Sequence, residues 1–233
     1  VIQHRTTAGC TVVVSIENLS FRYGKASKPI LDIPHWSVQS GERIFLHGPS
    51  GTGKSTLLNL LAGILLPDSG TIDILGGRIN TLSGRQRDSW RARHIGVVFQ
   101  QFNLIPYLDV LDNIKLAARF GGTASPGKRA GELLTALGIE QGLHHQAAAQ
   151  LSLGQQQRAA IARALINQPE LLIVDEPTSA LDAQNRNIFM SLLLEQVKRH
   201  RTTLIFVSHE LALAEMFSRV ESLTDINRAE GAH

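Results

Sequence analysis

Hydrophobic positions near the start of the chain fall in two blocks. Val12, Val14, Ile16 and Leu19 form the first, and β-branched and aromatic residues cluster from Ile30 to Val38 in the second. The turn residues Gly24, Lys25, Ala26 and Ser27 lie between them, so the pattern predicts two antiparallel strands. Arg43 to His47 reads as a short apolar strand ending at Gly48, and from Lys54 the leucines recur at helical spacing until Gly63 stops them. Leu171 to Val174 and Thr203 to Val207 are unbroken apolar runs of the kind that form fully buried strands, separated by a helical stretch from Gln184 to Lys198. Strands alternating with helices imply a parallel sheet covered on both faces. From Gln100 to Gln150 the strand pattern vanishes. Helix-like segments span Val110 to Phe120 and Gly127 to Leu137, with Pro106 before them and a break from Gly121 to Gly127 between them, which reads as a helical insertion.

Composition narrows the class. The 233 residues, 43% hydrophobic and 18% charged, suffice for one sizeable core. The longest apolar stretch, Leu57 to Leu66, is interrupted by Asn59 and falls short of the roughly 20 residues that cross a bilayer. Cys10 is the single cysteine, which excludes an internal disulfide and fits a reducing cytoplasm; no signal-peptide order is seen at the N-terminus. The first residue is Val1 rather than Met, as expected of a trimmed or processed start. Net charge is only +3, and nucleic acid is not an expected partner. Arg85, Arg87, Arg91 and Arg93 recur at spacings that place them on a helix surface, either a solvated face or a patch for headgroups or nucleic acid.

The chemistry begins at Gly48-Pro49-Ser50-Gly51-Thr52-Gly53-Lys54-Ser55, which satisfies G-x-x-x-x-G-K-[ST] directly after a strand and at the opening of a helix. Glycines at 48, 51 and 53 let the backbone wrap so that its N–H groups point at phosphate oxygens, and the helix N-terminus adds partial positive charge. Lys54 would reach the β and γ phosphates, Ser55 would offer its hydroxyl to Mg2+, and Thr56 would back the loop. A plain connecting turn needs neither the lysine nor the hydroxyl at those offsets.

The strand from Leu171 to Val174 runs into Asp175 and Glu176, and ligands sit at the carboxyl ends of parallel strands. Asp175 is placed to hold Mg2+ through its water shell, and Glu176 is the candidate general base for a water attacking the γ-phosphate.

After Gln150 comes Leu151-Ser152-Leu153-Gly154-Gln155-Gln156-Gln157-Arg158, then an Ala- and Ile-rich helix to Asn167. This segment resembles the signature loop of the ATP-binding cassette (ABC) ATPases. The other marks of that family follow in order: Tyr23, Gln100 after the strand Ile95 to Phe99, Ser179-Ala180-Leu181-Asp182, and His209 after the strand Thr203 to Val207. The resemblance runs from about Val12 to Phe217.

It implies an α/β fold: a P-loop NTPase, RecA-like core with a small antiparallel β subdomain and a helical insertion. The whole of 1–233 would be one ABC ATPase domain, with 11–99 and 151–225 as the nucleotide-binding core and 100–150 as the helical subdomain. It also implies that Tyr23 stacks on adenine, that Gln100 touches Mg2+ or the lytic water, that His209 hydrogen-bonds the γ-phosphate and that Asp182 links two subunits. Ser152, Gly154 and Gln155 of one subunit would close over the ATP held by Lys54 of another, which predicts a dimer, of two copies or of paired cassettes, formed on ATP binding. One departure from the family pattern is Leu153 where glycine is usual, which restricts the loop to φ < 0 there.

The expected role is the ATP-hydrolysing subunit of a transporter, docked peripherally on the cytoplasmic face of a membrane through an integral permease. Phe102, Leu104, Ile105, Tyr107 and Leu108 would supply apolar docking surface, or else pack in the core. A soluble ABC ATPase acting on DNA or ribosomes is the second reading, without the heptads or second phosphate loop of such relatives. A GTPase or small-molecule kinase is the third, without an N-K-x-D motif. Within transporters, Arg91 to Tyr107 is similar to cassettes of the lipoprotein-release, macrolide-efflux and cell-division group, whereas Thr178 to Asp182 is closer to amino-acid importers. The sequence ends at His233, so the regulatory domain of sugar-importer cassettes is not expected.

Overall fold

The computed structural model describes residues 6–7, 10–24, 28–178 and 181–229. In chain order the elements are β1 (Thr6–Thr7), β2 (Cys10–Phe21), β3 (Leu31–Gln39), β4 (Arg43–His47), α1 (Lys54–Leu61), β5 (Ser69–Ile74) and β6 (Gly77–Arg78). There follow α2 (Gly84–His94), β7 (Ile95–Val98), α3 (Val110–Gly121), α4 (Pro126–Ala136), α5 (Leu153–Leu165), β8 (Leu171–Asp175), α6 (Ala183–His200), β9 (Thr203–Val207), β10 (Arg219–Ser222) and α7 (Leu223–Ile226). They form a mixed α/β fold with parallel strands and a separate antiparallel sheet, as expected. The chain divides into two compact units, Val1–Asp88 with Thr203–His233, and Ser89–Thr202.

In the first unit, β2 is central to an antiparallel sheet, with β3 on one side and β5 on the other. Along β3, Leu31, Ile33, Trp36 and Val38 are buried while Asp32 and His35 are exposed, the alternation of a sheet with one wet face. The hairpin predicted from the first two blocks is this β2–β3 pair; of its turn residues, Lys25, Ala26 and Ser27 lie outside the described residues. The third strand, β5, was not anticipated, because Ser69-Gly70-Thr71 gives its first half no hydrophobic pattern.

β4 lies parallel to both β9 and β10. Ile44, Phe45 and Leu46 are fully buried, as are Leu204 to Val207, so these strands are covered on both faces. Phe45, Phe206 and Phe217 cluster with ring centroids 5.2 to 6.2 Å apart. Helix α1 is anchored by Leu57, Leu58, Leu60 and Leu61, each 4% exposed or less; burying each contributes about 1.5–3 kcal/mol.

In the second unit β7 pairs in parallel with β8, helix α5 packs on β7, and α3 and α4 pack on α5 and on each other. A Cβ on Gly96 would meet the Ala164 carbonyl oxygen at 2.5 Å, so β7 and α5 approach closely where no side chain fits. Asn167, just after α5, donates to the carbonyls of Ala92 and Ala117 at 2.8 and 3.0 Å and ties the helices to the lead-in of β7. Helices α3 and α4 fall where the helix-like segments Val110 to Phe120 and Gly127 to Leu137 were predicted.

The arginines at 85, 87, 91 and 93 do lie on a helix, α2, none of whose residues is buried. Arg87 turns back to donate to the carbonyls of Gly63 and Leu82 at 3.2 and 2.8 Å, a helix-anchoring contact.

Candidate functional site

The loop from Gly48 to Gly53 leaves the end of β4 and enters α1. Gly53 is the N-cap of α1 with φ 98°, a left-handed conformation, and a Cβ there would sit 2.9 Å from Leu31 Cδ2. Glycine supplies no capping side chain, and no acidic residue occupies the first turn. The first N–H groups of α1 therefore have no side-chain acceptor from the cap, and the positive end of the helix suits an anion.

Thr52 is buried and its hydroxyl donates to the Pro49 carbonyl at 2.9 Å, which braces the loop from within. Pro49, Ser50, Gly51 and Ser55 are exposed. Lys54 Nζ donates to the carbonyls of Gly48 and Pro49 at 2.8 and 2.9 Å, arching over the loop.

Thr56 is buried one position further on, with its hydroxyl 3.3 Å from Tyr23 Oη. The Tyr23 ring stands edge-on to Phe21 at 5.0 Å yet remains 54% exposed, leaving aromatic surface for a planar group beside the loop. His209, exposed, follows β9; since Leu46 pairs with Val207, His209 and Gly48 emerge at the same end of adjacent parallel strands.

Asn227, which sequence reasoning passed over, closes the back of this site. It is 2% exposed, and its amide binds main-chain atoms of Ile30, Asp32, Thr52 and Ala229. A lone asparagine near the end of a chain carries no motif that would have found it.

In the second unit, Asp175 ends β8 and Glu176 follows, both half-buried. Val98 pairs with Val174, so Gln100, exposed, emerges beside them from the adjacent strand end. Glu176 has φ 43°, a left-handed conformation that a non-glycine residue adopts only when its surroundings impose it. Next along the chain, the Pro177 carbonyl accepts from the buried Gln157 amide of α5.

Ser152 caps α5 in a reciprocal box with Gln155. Leu153 is the first helical residue, and neither it nor Gly154 has positive φ. Asp182 caps α6, accepting from Asn185 N–H at 2.8 Å, and these bonds lower its carboxyl pKa below the ordinary 3.8. Ser179 and Ala180 lie outside the described residues.

Of the expected docking residues, Tyr107 is 81% exposed, while Phe102, Leu104, Ile105 and Leu108 are half-buried. Their loop is held by Arg163, which donates to the carbonyls of Phe102 and Asn103, and by Asn113, which grips Ile105 on both its N–H and its carbonyl. Among the described residues no helix is long and apolar enough to cross a membrane.

Comparison with known proteins identifies the family. Residues 31–179 match the family described as ABC transporter. The ABC transporter ATP-binding protein YbbA of Escherichia coli strain K12 is 41% identical over 211 residues, 89% of this chain and 92% of the relative. The lipoprotein-releasing system ATP-binding protein LolD of Xanthomonas axonopodis pv. citri is 36% identical over 223 residues, 94% of this chain and 91% of the relative. Among solved structures, the dimeric post-hydrolysis state of the ATP-binding cassette MJ0796 bound to ADP and Pi superposes with a TM-score of 0.83 at 35% identity, covering 94% of this chain and 99% of that one. With a phosphate-type loop on one strand end, paired carboxylates on another and relatives of this kind along almost its full length, the chain belongs to the ABC transporter family as an ATP-binding, ATP-hydrolysing subunit.

Proposed function

We propose that this subunit pairs on ATP binding, as a homodimer or with a related cassette, and drives an integral permease on whose cytoplasmic face it docks. Export or extraction of lipid-linked cargo, or mechanical transmission across the membrane, is the favoured task. The observation that carries the motor reading is the uncapped start of α1 behind Gly53 with Lys54 arched over the loop. The lipid-directed reading is supported by the lipoprotein-releasing relatives. Pairing is supported by the dimeric structure of the MJ0796 cassette. The resemblance of Thr178 to Asp182 to amino-acid importer cassettes favours the second reading, an importer motor.

In this reading residues 11–99 and 151–225 form the nucleotide-binding core and 100–150 the helical subdomain. Gly48 to Gly53 present N–H groups to the phosphates, Lys54 neutralises them, and Tyr23 stacks on the base. Glu176 accepts a proton from the attacking water as general base, and His209 donates to the γ-phosphate. Ser152, Gly154 and Gln155 contact the nucleotide of the paired subunit, and Asp182 bridges the two subunits.

Among the described residues no cluster of three His, Cys, Asp or Glu side chains can hold a metal alone. Mg2+ needs no such cluster, because it keeps several of its waters and takes few protein ligands. The exposed Ser55 hydroxyl, the Asp175 carboxylate and Gln100 would hold it. When bound, the ion neutralises charge on the phosphate oxygens.

The test is affinity capture of the tagged Glu176→Gln chain with Mg-ATP from detergent-solubilised membranes of its host. Recovery of a polytopic permease with a large extracytoplasmic domain supports extraction or export, and one without such a domain supports the importer. Recovery of ribosomes, DNA or soluble proteins alone contradicts the transporter motor.

A further inference from the structure

Asn227 follows α7 and uses all of its hydrogen-bonding capacity. Its Oδ1 accepts from Asp32 N–H at 2.8 Å and from Ala229 N–H at 3.2 Å. Its Nδ2 donates to the carbonyls of Ile30 at 2.9 Å and Thr52 at 3.3 Å. A primary amide offers two N–H donors and an oxygen with two lone pairs, so none is spare. Every partner is a main-chain atom, and the partners come from the entry to β3, from the phosphate loop and from the C-terminal segment.

The bond to Thr52 acts inside the loop. Across a trans peptide the carbonyl and the following N–H point in opposite directions, and no peptide among the described residues is cis. Holding the Thr52 carbonyl toward Asn227 therefore aims the Gly53 N–H away from Asn227. The wall behind Gly53 is built from Ile30 and Leu31, whose side chains a Cβ on Gly53 would meet at 3.1 and 2.9 Å. Asn227 grips that same wall through the Ile30 carbonyl and the Asp32 N–H. One buried amide thus sets both the backing of the loop and the rotation of its Thr52–Gly53 peptide.

We propose that Asn227 is a positioning residue for nucleotide binding, which orients the Gly53 N–H toward the nucleotide phosphates without touching them. This rests on reading Gly48 to Thr56 as the phosphate loop. Aspartate at 227 has nearly the same shape and keeps the acceptors, but loses both donors and sets a carboxylate against the carbonyls of Ile30 and Thr52. Leucine would leave all of these buried groups without partners.

The experiment compares binding of fluorescent ADP and AMP to the whole chain, with melting temperatures measured alongside. The loop grips the β-phosphate, so the parent prefers ADP over AMP. Asn227→Asp is expected to lose about tenfold in ADP affinity with a much smaller change for AMP, as loss of the buried bond to the Thr52 carbonyl implies. Parental preference in a folded Asn227→Asp chain, or an equal loss for both nucleotides, overturns the proposal. Asn227→Ser, which keeps one donor, is read by the same ratio if the aspartate chain does not fold. Lys54→Ala is run in parallel. If it loses the preference while the Asn227 variants keep it, only the role of Asn227 falls; if it too keeps the preference, the phosphate-loop reading falls.

Discussion

Ser152 and Gln155 close on each other at the start of α5. Ser152 N–H donates to Gln155 Oε1 at 2.9 Å, and Gln155 N–H donates to Ser152 Oγ at 3.4 Å. A hydroxyl that accepts one bond keeps its own proton to donate, so the cap leaves Ser152 able to face a phosphate. The box also fixes position 153 as the first helical residue, where ordinary φ < 0 is required.

Leucine in place of the usual glycine is therefore compatible with the backbone of the signature loop. Leu153→Gly is predicted to leave ATP turnover unchanged and to lower stability by up to about 1 kcal/mol through helix propensity. Steady-state ATPase assays and urea unfolding check both. A large gain in turnover on restoring glycine would contradict this.

Lys54 supplies the only side-chain charge in the loop from Gly48 to Ser55. Its two bonds to loop carbonyls are replaceable by phosphate oxygens, which are stronger acceptors. Lys54→Ala is predicted to weaken ATP binding by roughly 10- to 100-fold, the worth of charged hydrogen bonds, with the fold intact because the side chain is only half-buried. Titration calorimetry with ATP measures the loss.

Asp182 caps α6 through its bonds to Asn185, which hold its folded pKa below 3.8. A depressed carboxylate pKa contributes stability that is complete above the unfolded value and is lost as pH falls through the folded value. Asp182→Ala is thus predicted to melt at a lower temperature than the parent at pH 7, with the gap closing at pH below 3.8. Thermal melts across that range give the difference directly.

The parts of the fold written in local pattern were legible. Strand β4, the loop at Gly48 and helix α1 follow from an apolar run, glycines and leucine spacing. Strands β8 and β9 follow from runs too short and too β-branched for helices. β5 was missed because its pairing with β2, not its own residues, makes it a strand. The same limit hid Asn227 and Gln157. Their partners are main-chain groups far away in sequence, and a hydrogen bond of that kind leaves no periodicity. The left-handed Glu176 was equally hidden, since its conformation is imposed by what packs around it.

Glu176 is expected to drive hydrolysis of ATP held at Lys54. Its most direct test is the steady-state ATPase rate of purified Glu176→Gln chain against the parent, with ATP affinity measured in the same preparation. Turnover is expected to fall by roughly 10²- to 10⁴-fold, the range for a general acid or base, with ATP still bound. A Glu176→Gln chain that hydrolyses ATP at the parental rate would contradict it.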